Sequence, residues 1–218
     1  MITETTAMQT TAIYSDDKTH RYLLRKEWNS EKKSAEIIML YPSSADTVTV
    51  DHTTMFVLRN LNYGSVNIVN LFSSMSGKHS TSDIDEDNLG YIQQYAESSD
   101  IIIFATGTGG DGNKAVLTMQ KKVLDMLEPY ASKLYCIADQ KGRKFYHPLC
   151  PAVRYWILAT FDYKELKAYQ EEKAKPKEIA PVKSDEDTPV SKTIVDIPVE
   201  EPTPEKPKRR KKNTKTTS

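Results

Sequence analysis

Four short apolar runs, alternating with segments of helical periodicity, limit the folds open to this chain more than any other feature. The runs cover residues 35–41, 65–72, 100–106 and 133–139. A continuous apolar run of this length is typical of a strand buried on both faces. Helical spacing of apolar residues marks segments 53–62, 88–98 and 113–130. This alternation favours an α/β fold, which we predict to be a three-layer sandwich with a mainly parallel central sheet.

Two further elements are predicted at the ends of the folded region. The segment "RYLLRKEW", residues 21–28, carries charges that would protect an edge strand from pairing with other chains. A last helix is predicted to begin at Pro151, since proline is favoured at the first helical position. Its buried residues would be Val153, Trp156, Ile157 and Phe161. The folded domain is therefore predicted to cover residues 20–170, after a flexible leader at 1–19.

The C-terminal segment, residues 171–218, differs in composition from the rest of the chain. It holds seven of the eleven prolines and no glycine, cysteine or aromatic residue. Such a segment cannot bury enough apolar surface to offset its ordering entropy, so we predict a disordered tail. Its basic end, residues 206–215, has three interpretations: a solubilising tail, an electrostatic contact to nucleic-acid phosphates, or a localisation signal.

The net charge, the cysteines and the length of the apolar runs indicate the compartment and the kinds of partner that the protein can have. The 30 basic and 30 acidic residues balance, so no overall field favours an acidic or basic partner. Cys136 and Cys150 lack metal-ligand spacing and suit a reducing compartment. The N-terminus has no signal-peptide pattern, and the longest apolar run is too short to cross a bilayer. We predict a cytoplasmic protein without membrane contact.

The loop "FATGTGGDGNKAV", residues 104–116, contains four of the eight glycines. It fails as a triphosphate loop, because Asn113 separates Gly112 from Lys114 and no hydroxyl follows the lysine. The spacing G-x-G-x-x-G does occur, but as a lone match. We therefore predict no nucleotide cofactor. Two interpretations remain: a plain turn, or a pliable rim, through Gly107 and Gly109, that lets a substrate approach the backbone closely.

Polar residues follow the predicted strands, at the edge where ligands bind in open α/β sheets. Ser43, Ser44 and Asp46 follow the first strand after Pro42, and either cap the next helix or orient a ligand. Asn70 ends the second strand, where its amide either bonds the local backbone or reads the edge of a base. His147 in "FYHPLCP" is either structural or a donor to a developing anion. No spacing among histidines and cysteines indicates a metal site.

The combination of short motifs resembles a bacterial and phage family of unknown function. That family has the patterns M-L-N-P-S-x-A-D, D-D-x-T, V-N-L-F, A-W-G and H-P-L. The counterparts here are "MLYPSSAD", "DHTT", "VNLF", "FATG" and "HPL", within residues 20–162. The order of strand ends is also similar to that of the uracil-DNA glycosylase superfamily, through "LYPSS", "IVNLF", "FATG" and "HPLCP".

The resemblance to the glycosylase superfamily implies roles for individual residues. Asn70 would read an extruded base, and His147 would stabilise negative charge on the departing base. Tyr41 occupies the position before Pro42 at which the superfamily carries a water-positioning Asp or Asn. Asp46, which matches no motif of the superfamily, is the nearby carboxylate that could orient the water instead. The substrate pocket would be formed by Tyr41, Pro42, Ser43, Asn70, Gly107 and Gly109.

Three functions follow as hypotheses. The first is a nucleic-acid or nucleobase-binding protein that hydrolyses an N-glycosidic bond. The second is a non-catalytic binding module of phage or plasmid origin acting in host–element conflict, which Tyr41 favours. The third is an enzyme of small-molecule nucleotides, supported by the glycine loop alone. The expected partners are nucleic acid, aided by the basic end of the tail, and a nucleobase or nucleotide ligand.

Overall fold

The protein is built around one sheet flanked by helices, in a computed structural model that describes residues 1–77, 85–107 and 113–174. The strands are β1 (Gln9–Tyr14), β2 (Arg21–Glu27), β3 (Ser34–Met39), β4 (Ser65–Asn70), β5 (Ile101–Phe104), β6 (Leu134–Ala138) and β7 (Ile157–Thr160). The α-helices are α1 (His52–Asn60), α2 (Glu86–Ser98), α3 (Lys114–Met126) and α4 (Tyr163–Ala174). Short 3-10 helices cover Glu128–Lys133 and Pro151–Val153.

The sheet is mixed, which corrects the prediction of a mainly parallel one. Its seven strands have the order β1-β2-β4-β3-β5-β6-β7. The pairs β3–β4, β3–β5 and β5–β6 are parallel, whereas β1–β2, β2–β4 and β6–β7 are antiparallel. The parallel centre consists of the four strands that the apolar runs predict. The antiparallel additions lie on either side of it, because a chain can return along a neighbouring strand without a crossover helix.

Two strands lie where the sequence predicts none. Strand β1 falls within the predicted flexible leader, and its pairing with β2 removes β2 from the predicted edge position. Strand β7 replaces most of the helix predicted from Pro151, because helical geometry ends at Val153 and Ile157–Thr160 pairs with β6. Both strands are short and only partly buried. Their stability therefore depends on a neighbouring strand more than on their own apolar pattern.

Alternate residues of the central strands face two separate apolar clusters. On one face, Ile38, Ile102 and Cys136 pack with residues of α2, α3 and α4. On the other, Ile37, Ile103 and Ile137 pack with residues of α1 and with Val153. Both faces of the sheet are therefore covered, and the apolar continuity of these strands follows from their two-sided burial.

The C-terminal boundary differs from the predicted one, since α4 extends to Ala174 and includes the first residues of the predicted tail. The rest of that tail, with the basic end at 206–215, lies outside the described residues. Both cysteines are free thiols, Cys136 buried and Cys150 partly buried. In the part of the chain that the structure describes, no helix has the length and apolar character needed to cross a bilayer.

Candidate functional site

The four parallel strands end at one edge of the sheet and bring the predicted site segments to it. Met39 pairs with Asn70, Ile38 with Phe104, and Phe104 with Cys136. The segments that follow these strands are therefore neighbours at the same edge, as in other open α/β sheets. Of the predicted residues, Gly109 lies outside the described residues. The others belong to these segments.

The end of β5 and the loop after β6 meet at Gly107 and His147. Gly107 has φ +69°, a conformation that L-residues other than glycine rarely adopt. A Cβ atom at this position would lie 2.6 Å from the His147 Cβ and 3.2 Å from its backbone nitrogen. Gly107 therefore permits close packing between two loops of the chain, and the predicted approach of a substrate stays a prediction. The group that approaches it in this structure is His147 of the chain itself.

His147 is held as a neutral imidazole with one defined tautomer. Burial lowers its pKa from the ordinary value of 6.5, while the negative charge of Asp51 acts in the opposite direction. The backbone N–H of Leu149 donates to Nδ1 over 3.2 Å. Since Nδ1 accepts, the proton of the neutral ring resides on Nε2. His147 therefore presents an N–H donor, the chemistry needed to stabilise an anion.

Asp51 is the carboxylate that acts on His147, and sequence analysis did not select it. It caps helix α1, with its Oδ1 accepting from the Thr54 N–H over 2.7 Å. Burial works to raise its pKa, but hydrogen bonds from Thr54 and Ser43 and the positive charge of Arg21 outweigh burial and lower it. Asp51 is therefore ionised at neutral pH. The spacing D-x-x-T in "DHTT" is a helix-start signal that could have identified it.

Asn70 carries an amide whose donor has no partner within the described residues. The side chain is only 1% exposed, and its Nδ2 is buried without a hydrogen bond. The backbone carbonyl of Asn70 accepts instead from the Asn88 Nδ2 over 2.9 Å, which ties the end of β4 to helix α2. A buried amide without a partner costs roughly 1–3 kcal/mol, so this group is destabilising unless something else pairs with it.

Tyr41 and Ser43 lie on either side of Pro42, which is itself partly buried, but their contacts differ. The Tyr41 ring stacks on Phe72, with ring centroids 5.7 Å apart, and burial raises its pKa. Ser43 shares a hydrogen bond with the Asp51 carboxylate, and its carbonyl accepts from the buried Arg21 guanidinium over 3.1 Å. Ser43 is therefore the member of this segment that is joined to the carboxylate near His147.

Asp46 stabilises its own turn. Its Oδ1 accepts from the backbone N–H groups of Val48 and Thr49 at 2.8 and 2.6 Å and from the Thr49 hydroxyl at 3.0 Å. The Thr49 backbone hydrogen bond is the largest of the contacts that lower its pKa. A carboxylate that already accepts three hydrogen bonds is a weak base, and this geometry is that of a turn-forming aspartate.

Comparison with known proteins identifies one matching family. A family model described as a protein of unknown function (DUF1643) matches residues 21–149. This range runs from β2 to the loop after β6 and contains every candidate residue from Tyr41 to His147. A search of curated proteins found no match. Among the described residues, no group of three or more His, Cys, Asp or Glu side chains could hold a metal ion.

Proposed function

The chain belongs to the DUF1643 family of proteins of unknown function, and we propose that it binds a nucleobase of a nucleic acid at the carboxyl edge of its sheet. Under this proposal the protein resembles uracil-DNA glycosylases in fold and hydrolyses the N-glycosidic bond of the bound nucleotide. The observation that carries the proposal is His147, whose Nδ1 accepts from Leu149 and whose pKa is lowered by burial, so that its Nε2 carries the donor proton; no hydrogen bond from Nε2 is present among the described residues.

A neutral donor suits this reaction for an electrostatic reason. Cleavage of an N-glycosidic bond leaves the pair of bonding electrons on the base, so negative charge develops on its ring and exocyclic oxygens. A preorganised N–H donor in a partly buried site stabilises that charge without reorganisation, an effect that is commonly worth 10²–10³-fold in rate. A burial-lowered pKa keeps His147 neutral near pH 7.

Asn70 is assigned the recognition of the base. Its Nδ2 is buried and without a partner among the described residues, and a carboxamide offers a donor and an acceptor side by side. A base would provide the missing acceptor, and because the side chain is only 1% exposed, the surrounding segments would have to open to admit it. A ligand that accepts a hydrogen bond from this amide would remove the cost of the unpaired donor, whereas a ligand without an acceptor would not. The protein would therefore bind the first ligand more tightly than the second.

Asp51 replaces Asp46 as the carboxylate that orients the attacking water. It acts electrostatically on His147 and accepts a hydrogen bond from Ser43, whereas the hydrogen bonds of Asp46 from Val48 and Thr49 stay within its own turn. Hydrogen bonds lower the pKa of Asp51 as they lower that of Asp46, so Asp51 would orient the attacking water and stabilise positive charge on the sugar, and the water would lose its proton to solvent after it has attacked. His147 would stabilise the departing base. Under this assignment the Asp51 carboxylate acts on the water and the His147 imidazole acts on the base.

The proposed hydrolysis is tested by incubating the full chain with oligonucleotides that carry uracil or modified bases. Treatment with alkali then cleaves the strand wherever a base has been released. Asn70→Ala and His147→Ala should each lower cleavage by about 10²-fold or more while the unfolding transition persists. Asp51→Asn, which retains a good helix cap, should have a comparable effect. Asp46→Asn should lower the rate far less. Absence of cleavage across a broad panel of bases would refute hydrolysis.

A non-catalytic binding module is the second candidate, favoured by Tyr41. The superfamily carries Asp or Asn at this position, whereas the Tyr41 ring packs on Phe72. The two candidates differ in one measurement. A binding module should hold base-modified oligonucleotides with an affinity that falls in Asn70→Ala, yet release no base.

A further inference from the structure

A recess lies at the carboxyl end of β6, next to the loop that carries His147. It has a volume of about 320 Å³ and is bounded by the turn at 139–143 and the segment at 151–155. The backbone connects it to the candidate site, because the His147 carbonyl accepts from the Cys150 N–H and the Cys150 carbonyl from the Val153 N–H. We call it the basic recess, after Lys141, Arg143 and Arg154 in its lining.

The basic recess has an excess of positive charge. Its carboxylate, Asp139, is neutralised by Arg143, whose Nε and Nη2 both lie 2.7 Å from Oδ2. Burial works to raise the Asp139 pKa, but hydrogen bonds from Arg143 and Lys141 outweigh it and keep the carboxylate ionised. Among the ion pairs of the described ranges, none includes Lys141 or Arg154. Two lining cations are therefore available to an anion.

An oriented aromatic ring lies at the rim of the basic recess. Tyr155 is 65% exposed, far more than a packed aromatic residue. The Arg59 guanidinium lies over its ring, 4.9 Å from the centroid, and the Arg59 Nη2 donates to the hydroxyl over 2.8 Å. These contacts favour the observed orientation of the ring although most of it is in solvent. An exposed aromatic ring beside basic side chains is the combination with which proteins bind single-stranded nucleic acid.

We infer that the basic recess binds a phosphodiester of a single nucleic-acid strand, with Lys141 and Arg154 contacting the phosphate and Tyr155 stacking on an adjacent base. The inference rests on the proposed function in taking the ligand to be nucleic acid, and it adds the path of the strand. A nucleotide held at His147 would have its neighbours in the strand at the basic recess.

The test measures the affinity of the full chain for a fluorescently labelled 15-mer of thymidine as NaCl rises from 50 to 200 mM. Arg154→Ala should weaken binding and reduce the slope of log affinity against log salt by about 0.7, the value for one phosphate contact on a single strand. Tyr155→Ala should weaken binding at least about five-fold with an unchanged slope, and Tyr155→Phe should retain affinity within about two-fold.

Lys167→Ala is the matched control, since it removes one positive charge from the exposed surface of α4 and should leave affinity and slope unchanged. The inference is overturned if Arg154→Ala and Tyr155→Ala behave like Lys167→Ala. It is also overturned if dTMP displaces the 15-mer completely at millimolar concentration, because the site would then serve a free nucleotide. If Asn70→Ala and His147→Ala leave base recognition intact while Arg154→Ala weakens binding, the proposed function fails and the basic recess stands.

Discussion

Replacement of Gly107 by alanine tests the contact that joins β5 to the loop after β6. Two costs are expected. The left-handed backbone, φ +69°, costs an alanine about 1–2 kcal/mol. The new methyl group would lie 2.6 Å from the His147 Cβ, and relief of such overpacking costs about 1–3 kcal/mol. The free energy of unfolding should therefore fall by about 2–5 kcal/mol in urea titrations.

Gly142→Ala separates the two costs. Gly142 has φ +78°, but an added Cβ there would meet no atom within 4 Å. It should lose only the backbone part, about 1–2 kcal/mol. The difference between the two variants then measures the steric contact with His147.

The histidine provides a second measurement that a general loss of stability would not affect. Burial lowers the His147 pKa, so displacement of the ring towards solvent should raise the pKa towards 6.5 in Gly107→Ala and leave it unchanged in Gly142→Ala. Titration of the imidazole C–H signals by NMR, with His147→Gln for assignment, gives both values. Equal stability losses in the two variants, with an unchanged His147 pKa, would refute the contact and with it the geometry of the site.

Three further predictions concern other parts of the chain. Glu36 is fully buried with no hydrogen bond to either carboxylate oxygen in the described region, and burial raises its pKa well above 4.5. The carboxyl group of Glu36 therefore ionises at lower pH in the unfolded state than in the folded state, and the free energy of unfolding should fall as pH rises above 4.5. The stability of Glu36→Gln relative to the native protein should increase by about 1.4 kcal/mol per pH unit until the folded-state pKa is reached. Urea unfolding from pH 4 to 8 measures this difference. A Cβ at Gly64 would overlap the backbone carbonyl of Asn29, so Gly64→Ala should lower the free energy of unfolding by about 3 kcal/mol or more. Gly90 lies in open space on helix α2, so Gly90→Ala should raise the free energy of unfolding by about 0.5–1 kcal/mol. Equal calorimetric midpoints for these two variants would contradict this packing. Replacing the basic residues of 206–215 with serine should lower the salt dependence of nucleic-acid binding, and an unchanged slope would exclude a phosphate-binding role for the tail.

The central elements of the fold were predictable because their signals are local. Strands β3, β4, β5 and β6 coincide with the four apolar runs, and α1, α2 and α3 with the segments of helical spacing. Two-sided burial requires apolar side chains at successive positions, so such strands are visible in the sequence. The half-buried strands β1 and β7 have no such signal, since their pairing partners decide their conformation. This is why the sequence predicts a helix where β7 forms.

The candidate site was predictable only in part, for the same reason. The positions of Asn70, Gly107 and His147 at one edge follow from the alternation of strands and helices, because parallel strands end on the same side. The distinction between Asp46 and Asp51 could not be made in this way. Asp46 is occupied by the nearby Val48 and Thr49, whereas Asp51 acts on a histidine almost a hundred residues further along the chain.

The amino-acid sequence alone therefore determined which segments form the buried strands and which edge of the sheet gathers the polar residues, since both depend on patterns within a few residues. Tertiary structure alone decided the direction of the outer strands, the contact of Gly107 with His147, and the electrostatic effect of Asp51 on His147. These features depend on atoms that only the folded chain brings together, and residue spacing along the chain does not encode their distances.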